Sequence, residues 1–163
     1  EGPVIYIITE PVTPLCERLK SLALQGEDKS QYYAVGIHQV TKAVSFLNND
    51  CKLIHGNVCV NSVVVSKTLD WKLHGFDLLT EVAKVDDETE SSFRMGCEAV
   101  HDMYKPEEVR QLDFLLIKRS PPWAVDAWGL GCFFQELFRA EQLEQMGQLR
   151  DTSVLPELMM RDY

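Results

Sequence analysis

The sequence predicts a mainly α fold that carries a small β hairpin near its middle. One long amphipathic helix is indicated over residues 30–48, where apolar side chains recur in steps of four, three, four and three. A second helix is indicated over 124–140, where apolar residues leave little polar surface, so we expect it to be buried on most sides. Between these helices, two short strand-like runs, 63–65 and 71–73, are separated by five residues and predict the hairpin.

A strand and a short helix are expected before the long helix. Residues 4–9 are rich in β-branched side chains and predict a strand, which Pro11 ends. Thr13 and Pro14 fit a helix N-cap followed by proline at the first helical position, and leucines then recur on one face until Gly26. The sequence therefore predicts a short helix that starts at Pro14 and stops at Gly26.

Two other stretches have weaker patterns. Residues 84–92 are acidic and poor in apolar side chains, which is typical of a mobile, solvated segment. After residue 140 the helical pattern weakens, and Gly147 and Pro156 interrupt it. The chain opens on Glu1-Gly2-Pro3 without a methionine or a signal peptide, so we interpret it as a fragment of a longer protein.

Composition and charge exclude several classes of function. With 163 residues, of which 45% are hydrophobic, the chain can bury a core as one domain or as a large part of one. A net charge of −9 without clustered lysine and arginine argues against direct binding of nucleic acid. No apolar run approaches the roughly 20 residues of a membrane span, so direct membrane insertion is not expected.

The cysteines favour a reducing compartment over a metal site. Five cysteines are odd in number and widely spread, which suits free thiols in a cytoplasmic protein. Zinc is an alternative, because Cys51 and His55, and again Cys97 and His101, are four residues apart. Neither pair is accompanied by a Cys-x-x-Cys motif and each lies in a loop of its own, so we expect no bound metal.

The polar segment 55–62, His-Gly-Asn-Val-Cys-Val-Asn-Ser, is the candidate functional site. It lies between apolar strand-like residues on both sides, and loops held between rigid elements are where chemistry is usually found. The order of elements around it is strand, linker, short helix, long helix, polar loop, hairpin, acidic segment and buried helix. This order resembles the C-terminal lobe of a protein kinase.

Several motifs support the kinase resemblance. The matching segments are His55-Gly56-Asn57 for His-Arg-Asp, Ser62 for the asparagine that follows it, Gly75-Phe76-Asp77 for Asp-Phe-Gly, Lys105-Pro106-Glu107 for Ala-Pro-Glu, and Asp126 to Cys132 for the start of the buried helix. The resemblance implies that residues 1–12 are the last strand of the N-terminal lobe and the hinge. Residues 13–163 are then a C-terminal lobe that is truncated at its end.

A narrower resemblance is carried by residues 6–15, 45–51 and 53–59. These stretches resemble the SCY-like family, also called N-terminal kinase-like proteins, which are pseudokinases. The resemblance implies a full-length protein with an N-terminal lobe before this chain and a HEAT-repeat solenoid after it. It also implies a cytoplasmic, Golgi-associated protein of coatomer-coated vesicle traffic between Golgi and ER, with vesicle-coat or trafficking proteins as partners. Some members are also linked to tRNA export.

Four positions of the kinase-like motifs lack the group that phosphoryl transfer needs. Asn57 replaces the catalytic base, and an uncharged amide cannot accept a proton near neutral pH. Ser62 and Gly75 replace the metal ligands, and glycine offers no side-chain oxygen to Mg²⁺. Gly56 replaces the arginine that would receive an activation-loop phosphate at Thr89, Ser91 or Ser92. We therefore predict no catalytic residue and no bound Mg²⁺.

Four retained residues are expected to have structural roles: His55, Phe76, Glu107 and Asp126. The resemblance implies that His55 and Phe76 pack in the core between the loop and the buried helix. It also implies that the Asp126 carboxylate accepts hydrogen bonds from backbone N–H groups of the loop. Glu107 matches the glutamate that closes the activation segment. The scaffold is thus expected to be kept while the reaction is removed.

Nucleotide binding is a separate question from phosphoryl transfer. The resemblance implies that the Glu10 carbonyl and the Val12 N–H could meet an adenine, with Val64 as the floor of the pocket. The alternative for Glu10 and Val12 is an ordinary linker between lobes. ATP is therefore the one cofactor that the sequence leaves open.

The predicted function is a catalytically inactive kinase-like domain that serves as a protein-interaction scaffold in vesicle traffic. One alternative is a weak or atypical ATP-dependent serine/threonine kinase that uses Asp77 as its metal ligand. Another is a lobe that acts only as a folding platform for neighbouring segments.

Overall fold

The computed structural model describes residue 6 and residues 8–81, 100–121 and 123–145. This part of the chain is rich in helix and carries small sheets. The helices are α1 Leu15–Leu22, α2 Gly26–Asn49, α3 Glu107–Arg110, α4 Phe114–Arg119 and α5 Ala124–Gln145. The strands are β1 Val12–Pro14, β2 Leu53–Ile54, β3 Val63–Ser66, β4 Trp71–Leu73 and β5 Thr80–Glu81. Among the described residues, 3₁₀ turns lie at Val60–Ser62, Phe76–Leu78 and Asp102–Tyr104.

The strands form two small antiparallel sheets on either side of the polar loop. In the larger sheet, of order β1-β3-β4, Val65 of β3 lies opposite Thr13 on one side and Trp71 on the other. In the smaller sheet, Ile54 of β2 lies opposite Thr80 of β5. The loop 55–62 follows β2 and precedes β3, so both of its ends are fixed by strand pairing.

A core between α1, α2, α5 and the hairpin holds the larger sheet in place. Its buried members include Leu15, Tyr33, Val40, Val65, Trp71, Phe133 and Leu137. Trp71 lies at its centre, with ring centroids 6.0 Å from Tyr33 and 6.3 Å from Phe133 in edge-to-face geometry. Full burial of each such side chain stabilises the fold by roughly 1.5 to 3 kcal/mol. The hairpin is therefore anchored to both long helices.

The long helix and the hairpin are confirmed. Helix α2 covers the predicted 30–48 and extends to Gly26 and Asn49. Three apolar side chains of the predicted stripe, at Tyr33, Val40 and Val44, are buried on it. Strand β3 is one residue longer than predicted, so residues 67–70 alone connect it to β4.

The predicted start and end of the short helix are wrong. Thr13 and Pro14 belong to β1, and α1 begins at Leu15 without a side-chain cap. Pairing with β3 prevails over the local capping pattern, because it places Thr13 opposite Val65. Helix α1 ends at Leu22, followed by Ala23 in the left-handed conformation, and Gly26 opens α2 instead of ending α1.

Helix α5 is buried on one face and not on most sides, which corrects the prediction for residues 124–140. The buried positions are Val125, Asp126, Gly129, Cys132, Phe133, Glu136 and Leu137. On the opposite side Trp128 is 45% exposed and Phe138 is 55% exposed. Apolar composition alone did not reveal this, because two of the buried positions are acidic and two of the exposed ones are aromatic.

The predicted strand over residues 4–9 is absent at the three of these residues that are described, 6, 8 and 9, and Tyr6 and Ile8 are highly exposed. The rest of that stretch, the acidic segment 84–92, Cys97, and the tail from 146 lie outside the described residues. Within the described ranges, no helix has both the length and the apolar character to cross a membrane.

Candidate functional site

The carboxylate of Asp126 organises the polar loop. Asp126 lies in the first turn of α5 and is 1% exposed. Its Oδ2 accepts a hydrogen bond from the His55 N–H at 2.8 Å, and its Oδ1 accepts one from the Gly56 N–H at 2.9 Å. These are the backbone contacts that the sequence led us to expect. The start of the loop is therefore fastened to the helix by charge-assisted hydrogen bonds.

Asn48 is a member of this network that the sequence analysis missed. Its Nδ2 donates to Asp126 Oδ2 at 2.7 Å and to the Leu53 carbonyl at 2.9 Å. The side chain lies on the buried face of α2, four residues after Val44. A polar residue at a position of the apolar stripe was the available signal, since a buried amide needs partners.

His55 is fully buried and both of its ring nitrogens have partners. Nδ1 accepts a hydrogen bond from the Asn57 N–H at 3.2 Å, so the proton lies on Nε2, which donates to the His74 carbonyl at 2.9 Å. Burial lowers the pKa of the His55 imidazole, which favours this neutral tautomer. His55 thus has no free nitrogen for a metal ion, and Cys51, its predicted alternative partner in a zinc site, is exposed.

Phe76 contacts His55 but is not a core residue, which corrects the predicted packing. The two ring centroids are 5.4 Å apart in edge-to-face geometry. Phe76 is nevertheless 49% exposed. The reason is local, because Gly75 in the left-handed conformation opens the turn Phe76–Leu78, no residue of which is buried. The ring therefore covers His55 on one side and faces solvent on the other.

Ser62 closes the loop on itself. Its hydroxyl donates to the Cys59 carbonyl at 2.9 Å and accepts from the Cys59 N–H at 2.9 Å, and the side chain is buried. A serine hydroxyl has one donor, and here that donor is used within the loop. The residue at the position of a metal-binding asparagine therefore acts here as a cap of the turn Val60–Ser62.

Gly56 and Gly75 both have backbone conformations that side chains rarely adopt. Their φ angles are +79° and +76°. A Cβ added at Gly56 would lie 3.3 Å from Leu78 Cβ, whereas one added at Gly75 would have room, with Ser62 Cβ nearest at 3.8 Å. The arginine and aspartate of the kinase motifs would each require a strained backbone here. The observed loop conformation therefore favours glycine over the arginine and aspartate of the kinase motifs.

The candidate nucleotide-binding residues lie on or beside the larger sheet. Val12 begins β1 opposite Ser66, and the buried Val64 lies between Pro14 and Lys72 in the same sheet. The Glu10 carboxylate forms an exposed ion pair with Lys72 of β4. The structure places Val12 and Val64 on neighbouring strands. Val12 is therefore part of a strand pair and not of an unpaired linker.

The observed contacts of Glu107 are with residues of its own helical turn. It opens α3 and is exposed, with Gln111 Nε2 donating to its Oε1 at 2.6 Å and Arg110 Nη1 lying 3.6 Å from its Oε2. All of these contacts are within one helical turn of Glu107. They show no link between Glu107 and the loop.

Sequence comparison identifies the relatives of this chain. No protein-family profile matches it. It is 31% identical over 150 residues to a Dictyostelium discoideum protein described as the probable inactive serine/threonine-protein kinase scy1, covering 89% of this chain and 17% of that protein. It is 29% identical over 163 residues to a mouse protein named for associating with the carboxyl-terminal domain of ezrin, covering 95% of this chain and 21% of that protein. A mouse SCY1-like protein 2 is 43% identical over 42 residues, which are 26% of this chain and 4% of that protein.

The chain belongs to the SCY1-like family. It spans about a fifth of the length of the first two of these relatives. As a SCY1-like chain it is a pseudokinase segment, and the loop geometry gives this a chemical basis. Asn57 offers no base, Gly75 offers no carboxylate, and the hydroxyl of Ser62 is bonded within the loop.

Asp77 was the candidate metal ligand of the alternative kinase mechanism. In the SCY1-like chain it lies in the turn Phe76–Leu78 and is exposed. Among the described residues, no group of three or more histidine, cysteine, aspartate or glutamate side chains could hold a metal ion. Asp77 is therefore not part of such a group in this part of the chain.

Replacing Ser62 with alanine is expected to destabilise the SCY1-like chain by about 1 to 3 kcal/mol, because the buried Cys59 N–H loses its acceptor and the Cys59 carbonyl loses one of its two donors, the other being the backbone N–H of residue 62. Urea unfolding monitored by far-UV circular dichroism measures this difference. Ser21→Ala is the matched control, since the Ser21 hydroxyl is exposed and bonds only to the Arg18 carbonyl three residues earlier. Equal losses for the two variants would contradict a loop-closing role of Ser62.

Proposed function

We propose that this chain is the C-terminal lobe of a catalytically inactive kinase-like domain and that it serves as a protein-interaction scaffold. In this proposal residues 1–12 are the end of the N-terminal lobe and the hinge, and residues 13–163 are the C-terminal lobe. The order of α1, α2, polar loop, hairpin and α5 supports the assignment. So does Asp126, whose carboxylate joins the loop to the buried helix.

One observation carries the scaffold proposal: three polar side chains at the loop are bonded to main-chain atoms. Asp126, His55 and Ser62 each contact main-chain atoms between residues 55 and 62. Groups used in this way maintain a shape and are not directed at a reacting atom. A fixed loop shape beside the half-exposed Phe76 is suited to contact with another protein.

The proposed partners are vesicle-coat or other trafficking proteins, and the proposed location is the cytoplasm at the Golgi. Membership in the SCY1-like family supports both parts of this proposal. The name of the mouse relative, which refers to the carboxyl-terminal domain of ezrin, supports proteins as the class of partner. The net charge of −9 favours protein over nucleic acid. The proposal requires neither Mg²⁺ nor ATP at Glu10, Val12 and Val64.

The test compares two aspartates in the full-length protein. We expect Asp77→Asn to support co-purification of coatomer subunits as well as the unaltered protein, because an exposed carboxylate that binds no metal is not needed for shape. We expect Asp126→Asn to weaken it, because the loop loses a carboxylate acceptor. Quantitative immunoprecipitation from cells that lack the endogenous protein measures both.

The opposite pattern would overturn the proposal. If Asp77→Asn abolishes co-purification together with Mg²⁺-dependent phosphorylation by the full-length protein, Asp77 binds a metal and the kinase alternative is correct. If neither substitution changes co-purification, this lobe is only a folding platform. The circular dichroism spectrum of each variant controls for unfolding.

A further inference from the structure

Glu136 is a buried acid that has no part in the polar loop's network. It lies on the buried face of α5 and is 1% exposed. The Tyr104 hydroxyl donates a hydrogen bond to its Oε2. Burial raises the pKa of Glu136 from 4.5 to about 7. The thiols of Cys16 on α1 and Cys59 in the polar loop are its electrostatic neighbours from the other packed elements.

The turn that carries Tyr104 is fastened to the same helix. This Tyr104 turn, residues Asp102–Tyr104, bonds α5 through the Met103 carbonyl, which accepts from Trp128 Nε1 at 3.2 Å and from Cys132 Sγ at 3.2 Å. Beneath it, Tyr104 packs with Val100, Cys59 and Cys132 in one buried cluster. Lifting the turn would therefore admit water to Glu136 and to two thiols.

The ionisation of Glu136 is coupled to this lifting. A buried carboxyl group binds its proton more tightly than a solvated one. At a pH between the pKa of solvated Glu136 and the pKa of buried Glu136, opening the turn therefore releases a proton. The turn is most firmly closed below about pH 4.5. Opening becomes up to about tenfold easier per pH unit until about pH 7, and it levels off above that value.

We propose that the Tyr104 turn is a pH-sensitive latch over Glu136, closed when Glu136 is protonated and increasingly open as the solution approaches neutrality. Opening gives solvent access to Glu136 and to the thiols of Cys59 and Cys132. The latch couples the polar loop, through Cys59, to the protonation state of α5. It does not depend on the identity of the protein partners.

Other charged groups near the turn act separately from Glu136. His101 Nδ1 accepts a hydrogen bond from the Met103 N–H within the turn. Lys105 pairs with Asp102 within the turn, and Arg110 Nε donates to the Asp102 and Lys105 carbonyls. A variant that changes Glu136 alone is needed to separate its effect from theirs.

Hydrogen exchange of the full-length protein, followed by mass spectrometry, tests the latch. After correction for intrinsic exchange, we expect protection in the peptide covering residues 100–106 to fall by up to about 100-fold between about pH 5 and about pH 7. It should then stay level to about pH 8. Glu136→Gln keeps an acceptor for Tyr104 but cannot ionise, so the fall in protection with pH should be absent in this variant. The protection of α2 peptides should not change with Glu136→Gln.

Each alternative outcome overturns the latch. An equal fall in the unaltered protein and in Glu136→Gln would assign the pH dependence to a group other than Glu136. A parallel fall in the turn and in α2 would show that Glu136 titrates only through global unfolding. If Glu136→Gln does not fold, alkylation of Cys132 in the unaltered protein gives a second measurement. We expect the alkylation rate of Cys132, corrected for its thiolate fraction and divided by the corrected rate of the exposed Cys51, to rise between about pH 5 and about pH 7. A ratio of the two rates that stays constant over this range would contradict the latch.

Discussion

Replacing Asp126 with alanine is expected to reduce the free energy of unfolding by about 4 kcal/mol or more. The substitution removes the acceptor of the backbone N–H groups of His55 and Gly56, and one of the two acceptors of Asn48 Nδ2, which keeps the Leu53 carbonyl. Each buried donor left unsatisfied costs about 1 to 3 kcal/mol. Since whole domains have only about 5 to 15 kcal/mol of stability, this loss removes a large share of it. Urea unfolding of the chain measures the effect.

Asp77→Ala is the matched control for Asp126→Ala. Both residues are aspartates close to the loop, but Asp77 is exposed and a surface substitution usually changes stability by less than about 0.5 kcal/mol. Asp126→Asn should fall between the two, because an amide retains one acceptor oxygen but presents a donor to the other N–H group. A loss for Asp126→Ala no larger than that for Asp77→Ala would mean that the loop is held by packing alone.

The parts of the fold that the sequence predicted are those with a local pattern. Helix α2 follows from a stripe of apolar residues, and the hairpin follows from two strand-like runs close in the chain. The bonds of Asp126 were expected from a motif whose residues have fixed spatial relations. In each case the information lies within a few neighbouring residues or in one known arrangement.

The parts that the sequence did not predict depend on contacts between distant residues. Thr13 had a good capping pattern but pairs with Val65 instead. Phe76 and Trp128 are aromatic yet half exposed, since exposure depends on what packs against them. Asn48 meets Asp126 across 78 positions of the chain. Single-sequence periodicity carries no information about such pairs.

The contact between Gly36 and Trp71 has the second-largest expected effect. Gly36 lies on the buried face of α2, and a Cβ added there would be 2.1 Å from Trp71 Cδ2 and 2.2 Å from Cε2. Gly36→Ala therefore forces the indole or the helix to move, although alanine normally favours a helix. Trp71 is held by the core and by Gln39, whose Oε1 accepts from its backbone N–H at 2.8 Å. We expect a loss of about 3 kcal/mol or more.

Gly131→Ala is the matched control, because Gly131 is also helical but has no atom within 4 Å of an added Cβ. It should be neutral or stabilising by up to about 1 kcal/mol. Thermal unfolding and the near-ultraviolet circular dichroism of the aromatic side chains, which include Trp71, measure both variants. If Gly36→Ala also left stability unchanged, the hairpin would not be fixed to α2 by this contact. Because Ser62 immediately precedes the hairpin and Gly75 closely follows it, displacement of Trp71 should disturb the loop without altering any of its residues.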